Sequence, residues 1–301
     1  NTSALPITDI ASASKHPERV IGMHYFSPVH KMPLLEIITT DKTNERTIAQ
    51  AIDVGQRQGK TVIVVKDGPG FYTTRILVPL MDEAGLLLLE GNDFLHLDKV
   101  MQKIGFPVGP ITLMDEVGLD VAYHVGKDLG AKLGKRVSSQ DPEMFNALIS
   151  QKALGRKSGA GFFLYRSQKP NKWLKMLGLL GASKEINPKA VSLIQQYSKG
   201  QKKHSKDAEM SDRMCFRMVN EAVYCLHEGI LSRPLDGDIG AVFGLGFPPF
   251  TGGPFRFVDS YGVSKFVDQM NSFADKFGER FEPCVLLKEM ARDNKTFYST
   301  I

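Results

Sequence analysis

The feature that most narrows what this chain can fold into is a repeat. MDEAGLLLLEG at 81–91 returns as MVNEAVYCLHEG at 218–229, with Glu83 on Glu221 and Gly91 on Gly229. GFP at 105 recurs at 246, and GPITLMDEVG (109–118) recurs as GPFRFVDSYG (253–262). The offset grows from 138 to 141 and then to 144, as small loop insertions produce. Self-similarity over a long period means one structural unit built twice. Repeats of this size ordinarily pack on each other, which gives the second copy a structural role by default.

The repeat leaves only the first 66 residues for a different architecture, and there strand and helix patterns alternate. RVIGMHYF (19–26) and PLLEIITT (33–40) are rich in branched and aromatic residues and read as strands. TNERTIAQAIDVGQRQG (43–59) places Ile48, Ala51, Ile52 and Val54 at helical spacing. TVIVVK (61–66) is a short apolar run of the kind buried in a parallel sheet. DGPGF (67–71) breaks the pattern, and helices are predicted over 75–91, 97–105, about 111–134 and 141–150. GLLLLEG (85–91) is read as part of an amphipathic helix, and LGRKSGAGFFLY (154–165) closes this block with a strand-like tail.

Residues 166–208 have a polar, basic linker composition, interrupted by WLKMLGLLG (173–181) and a helix near 187–198, and helix resumes from Asp212. The fold class predicted is therefore an α/β remnant, the end of a Rossmann-like dinucleotide-binding domain, followed by two duplicated all-α domains. The boundaries are 1–66, 67–166, a linker over 167–208, and a second, non-catalytic copy over 209–301. NTSALPITDIA has neither an initiator methionine nor a signal-peptide pattern, so the chain is taken as a fragment or a processed product.

Composition excludes little. No run approaches the ~18 apolar residues of a membrane span, and a formal charge of +5 selects no partner class. KGQKKHSK (199–206) lacks interleaved aromatics and reads as a solvated linker, so no nucleic-acid partner is expected. NKWLKMLGLLG can be a packing helix, or lie on a membrane or partner. Cys215, Cys225 and Cys284 have no metal-ligand spacing and read as packing residues, and no metal site is expected.

Chemistry concentrates at His24 and Glu36. A glutamate inside PLLEII requires a specific donor, because a buried unpaired carboxylate is costly. Twelve residues separate the two, too far for one helix face but right for paired strands. A His–carboxylate pair fixes the imidazole tautomer and stabilises imidazolium, as general-base work needs. Ser3 and Ser27 lie near in sequence, but no G-x-S-x-G elbow accompanies them. In GRKSGAG (155–161) the lysine precedes the glycines, and no G-x-G-x-x-G follows a strand, so no phosphate-binding turn is found.

Together these motifs resemble the L-3-hydroxyacyl-CoA dehydrogenases. NTSALPI, GMHYFSPVHKMPLLEII, DGPGFYTTR, GFPVGPITLMDEVGLD and LGRKSGAGFF follow that family in order. NEAVYCLHEGIL and GDIGAVFGLGFPPFTGGPFRFVD resemble the alpha-subunit type of multifunctional fatty-acid oxidation enzyme, in particular the mitochondrial one. The resemblance implies NAD as cofactor, an L-3-hydroxyacyl-CoA substrate, an enoyl-CoA hydratase upstream and helical domains of the dehydrogenase C-terminal type. It makes His24 the base and Glu36 its orienting carboxylate. It places Ser3 near substrate and nicotinamide, and makes Lys157 a cofactor contact. Ser27 and Thr74 stand where single-activity relatives carry asparagine, so both are candidate substrate or cofactor contacts.

It further implies a thiolase beta subunit as partner, peripheral inner-membrane contact and a mitochondrial location. With the pyrophosphate turn lacking, the isolated chain is expected to bind NAD weakly and to be inactive or weakly active. Two other readings stay open: a non-catalytic assembly module, and a 3-hydroxy-acid or 6-phosphogluconate-like dehydrogenase.

Overall fold

The computed structural model describes residue 2 and residues 5–138, 143–165, 184–198 and 205–298. The elements run α1 (Ile7–Ser12), β1 (Gly22–Tyr25), β2 (Leu34–Thr39), α2 (Glu45–Arg57), β3 (Thr61–Lys66), α3 (Thr73–Leu89), α4 (Phe94–Lys103), α5 (Pro110–Val117), α6 (Leu119–Leu133) and α7 (Glu143–Ser150). They continue as β4 (Phe163–Tyr165), β5 (Lys184–Ile186), α8 (Pro188–Tyr197), α9 (Asp207–His227), α10 (Pro234–Leu245), α11 (Pro254–Tyr261), α12 (Val263–Phe277) and α13 (Val285–Arg292). The chain forms two compact units, one of Asn1–Leu80, Asp128–Ser139 and Arg213–Ile301, the other of Met81–Lys127 and Gln140–Asp212.

In the first unit β1 pairs antiparallel with β2, and β2 parallel with β3. The parallel pair needs a crossover, which α2 supplies. Its N-terminus is capped by the Asn44 side chain, which accepts from the Thr47 amide at 2.8 Å. α2 turns Ala51 onto Leu35 and Ile37, with Ile52 beside them. Val54, expected on this face, is exposed instead. At 100° per residue it lies about 60° from Ala51, outside the stripe that Gly55 continues.

The other face of the sheet is covered by α10, from the second half of the chain. Gly240 and Gly244 permit the close approach: a Cβ on Gly240 would lie 2.8 Å from Ile63 Cδ1, and one on Gly244 2.5 Å from Leu34 Cδ2. GAVFGLG is thus a helix-on-sheet packing motif, and it makes the second copy one wall of the α/β layer. Further anchoring is ionic. Arg75, 1% exposed, donates to Glu221 Oε1 at 2.6 Å and to Glu228 Oε2 at 2.7 Å. Arg136 donates to Glu228 Oε1 at 2.7 Å and lies over the Tyr224 ring.

The repeat is visible in hydrogen bonds, each set within its own unit. Asp98 accepts from the Ile111 amide, at the start of α5, and from the Thr112 hydroxyl. Asp238 accepts from the Phe255 amide, at the start of α11. Asp115 then accepts from the amides of Phe162 and Phe163, and Asp259 from those of Phe297 and Tyr298. The single helix predicted over 111–134 is two, because Gly118 sits at φ 100 and ends α5; Gly262, at φ 94, separates α11 from α12 in the same way. GLLLLEG is not amphipathic: residues 81–88 of α3 are buried all round except Leu86.

The three cysteines are free and buried. WLKMLGLLG lies outside the described residues, as does most of the predicted linker except β5 and α8. Among the described residues no helix is long and apolar enough to cross a membrane.

Glu221→Ala would leave Arg75 buried beside a lost partner. Urea unfolding followed by circular dichroism should show a loss of about 3–5 kcal/mol, the usual cost of breaking a buried pair from one side. Burial pushes the Asp238 carboxyl up to about 6, against the opposing bonds from Tyr298 and Phe255. The folded state therefore holds a proton that the unfolded chain releases near pH 4, and this contribution to stability disappears as pH rises through about 6. Unfolding midpoints at pH 5 and 7 should accordingly differ more in the wild type than in Asp238→Asn.

Candidate active site

The register of β1 on β2 sets His24 directly opposite Glu36. Opposed residues of an antiparallel pair project from the same face, which turns a separation of twelve residues into contact. His24 Nδ1 lies 2.8 Å from Glu36 Oε2. Both side chains are buried, Glu36 completely.

Three further donors converge on that carboxylate. The Tyr72 and Thr73 amides reach Oε1 at 2.9 and 3.2 Å, and the Thr73 hydroxyl reaches Oε2 at 2.8 Å. The amides directly follow the D-G-P-G-F turn, in which Gly70 and Phe71 both adopt positive φ, and Thr73 is the first residue of α3. An anion at a helix start is favoured twice, by unpaired N–H groups and by the helix dipole. Tyr72 is itself pinned, its hydroxyl donating to the Gly237 carbonyl at 2.9 Å. Burial holds that hydroxyl well above its ordinary pKa, so it serves as a neutral donor.

The imidazole is framed by Phe26, 4.5 Å between ring centroids, and by Phe71 at 6.0 Å. An ionised Glu36 accepts from Nδ1–H, which leaves the lone pair of a neutral ring on Nε2. The arrangement is that of a histidine oriented by a buried carboxylate.

Ser27 is exposed, follows β1, and lines an open pocket of about 680 Å³ with Tyr25, Val29, His30, Gln58 and Lys60. Thr74 is half-buried in the first turn of α3. Lys157 belongs to the second unit, where it is exposed and ion-paired with Asp120 at 2.5 Å. Ser3 lies outside the described residues. Sequence reading missed Thr73, whose only signal was its place after the breaker. Among the described residues no group of three potential ligands could hold a metal.

The NAD binding domain of the 3-hydroxyacyl-CoA dehydrogenases matches residues 1–68, and the C-terminal domain of the same family matches 70–165 and again 210–300. The fatty acid oxidation complex subunit alpha of Shewanella loihica is 47% identical over 300 residues, covering 99% of this chain and 40% of that protein. The subunit of the same name from Idiomarina loihiensis is 48% identical over 299 residues, again 99% and 40% of the two chains. The chain thus spans about two fifths of the length of these curated relatives.

Among solved structures, the dehydrogenase part of multifunctional enzyme 1 from C. elegans aligns with a TM-score of 0.66 at 26% identity, covering 96% of this chain and 63% of that one. The 3-hydroxybutyryl-CoA dehydrogenase of Escherichia coli shares the fold, with a TM-score of 0.76 at 22% identity over 97% of this chain and 74% of that one. The relatives named here that are 47–48% identical are bacterial, which overturns the mitochondrial location expected above. That expectation rested on resemblance alone and on no residue of the chain.

Opposite an ionised Glu36, the neutral His24 ring carries its proton on Nδ1. Nitrogen-15 NMR of the imidazole should show Nδ1 protonated and Nε2 bare; the opposite pattern would mean that Glu36 holds the proton.

Proposed function

The chain belongs to the 3-hydroxyacyl-CoA dehydrogenase family, and from that premise we propose that it supplies the proton-transfer pair of an NAD-dependent oxidation of L-3-hydroxyacyl-CoA to 3-ketoacyl-CoA in fatty-acid oxidation. The observation that carries the reading is the buried bond from His24 Nδ1 to Glu36. His24 Nε2 accepts the proton of the substrate 3-hydroxyl as hydride leaves C3. Glu36 keeps the ring in the productive tautomer and stabilises the imidazolium that forms. Opposite unit charges about 4 Å apart attract by about 4 kcal/mol at an effective dielectric of 20. That is the scale of the ~10²–10⁴ in rate a positioned base contributes.

NAD is the hydride acceptor of this family, and residues 1–68 carry the match to its NAD-binding domain. The residues present do not fit the whole dinucleotide. Both strand-to-helix turns of the sheet are taken by the protein itself: the start of α2 by Asn44, the start of α3 by Glu36. Neither offers a pyrophosphate site of the usual helix-N-terminal kind. The relatives are named as subunits of a complex, which supports assembly with a second subunit, a thiolase-like one on the family resemblance.

NADH oxidation with acetoacetyl-CoA, measured on the full-length protein, tests the proposal. His24→Ala should lower turnover by roughly 10²–10⁴ while acetoacetyl-CoA affinity changes little. Equal losses in turnover and affinity would favour a binding role instead.

A further inference from the structure

Glu36 is held by four donors, and they are not equivalent. Oε1 is bound by two main-chain amides, which no side-chain change removes. Oε2 is shared by His24 Nδ1 and the Thr73 hydroxyl, each at 2.8 Å. The terminal torsion of a glutamate is broad and roughly two-fold, so amides on one oxygen alone leave the other free to swing. A donor beside the imidazole closes that freedom. Thr73 is fully buried, and its β-branch makes χ1 stiff.

We propose that Thr73 is a positioning residue, which locks the Glu36 carboxylate in the plane that meets His24 Nδ1. The inference rests on His24 acting as base, but its first readout does not require turnover. The segment bearing Thr73 is placed from the second helical copy, through Tyr72 to Gly237 and through Arg75 to Glu221 and Glu228. The alignment of the pair therefore depends on residues more than 140 positions away in sequence.

The test compares Thr73→Val, which keeps volume and removes the donor, with Thr73→Ser, which restores it. In the 301-residue chain the hydrogen-bonded His24 Nδ1 proton should give a downfield NMR resonance, assigned by its loss in His24→Gln. Thr73→Val should broaden or shift that resonance, and Thr73→Ser should retain it. In turnover of the full-length protein, Thr73→Val should lower kcat by roughly ten- to a hundredfold, the scale of one hydrogen bond to a charged group. KM should stay within about twofold, and serine should recover most of the rate. An unchanged resonance in folded Thr73→Val overturns the proposal, as does a KM effect without a kcat effect. If Thr73→Val does not fold, Thr73→Ala against Thr73→Ser makes the same comparison. A resonance that responds as stated, in a full-length protein without dehydrogenase turnover, would keep the positioning role and sink the functional reading.

Discussion

A carboxylate with no solvent exposure has to be satisfied by the protein, and Glu36 meets that demand with donors from two separate segments. His24 comes from the neighbouring strand, and the amides and hydroxyl from the turn that opens α3. Because unpaired burial of such a group costs several kcal/mol, strand register, turn conformation and helix start constrain one another. A one-residue slip of β1 would turn His24 to the opposite face of the sheet. Glu36 would then lose its ring donor, and the sheet a matching core.

The second helical copy serves this arrangement. α10 covers the face of the sheet on which His24 and Glu36 lie, and the ionic cluster of Arg75, Glu221, Glu228 and Arg136 ties the start of α3 to α9. The two acids of that cluster differ as their surroundings dictate. Burial raises Glu221 above the ordinary carboxylate range despite its arginines. For the less buried Glu228 the same arginines outweigh burial, and its carboxyl is lowered. A duplicated domain has here become part of the frame of the first strands. Its own copies of the Asp98 and Asp115 hydrogen bonds, at Asp238 and Asp259, preserve the helix-joining geometry.

Sequence periodicity misled at particular residues. Val54 followed the apolar count but not the buried stripe, in which Gly55 approaches Leu35 and Val62 instead. Residues 111–134 had unbroken helical periodicity, yet Gly118 at positive φ divides them. Thr74 is a substrate or cofactor candidate by resemblance; the hydroxyl that reaches Glu36 belongs to its neighbour Thr73. Adjacent threonines on a helix start point about 100° apart, and only the position of the carboxylate tells them apart.

The sequence by itself determined what short-range periodicity encodes: three strands and a crossover helix, a duplicated helical pattern, and a histidine and glutamate at a spacing that paired strands convert into contact. Only the tertiary structure decided which donors meet Glu36 besides His24, since those lie 36 and 37 residues beyond it. The same holds for the segment that anchors them, 146 and 165 residues further along the chain. Local patterns follow from backbone geometry that repeats every two or 3.6 residues. Contacts at such range have no period to read; they arise when buried polar groups and glycine-lined faces must find partners in a close-packed interior.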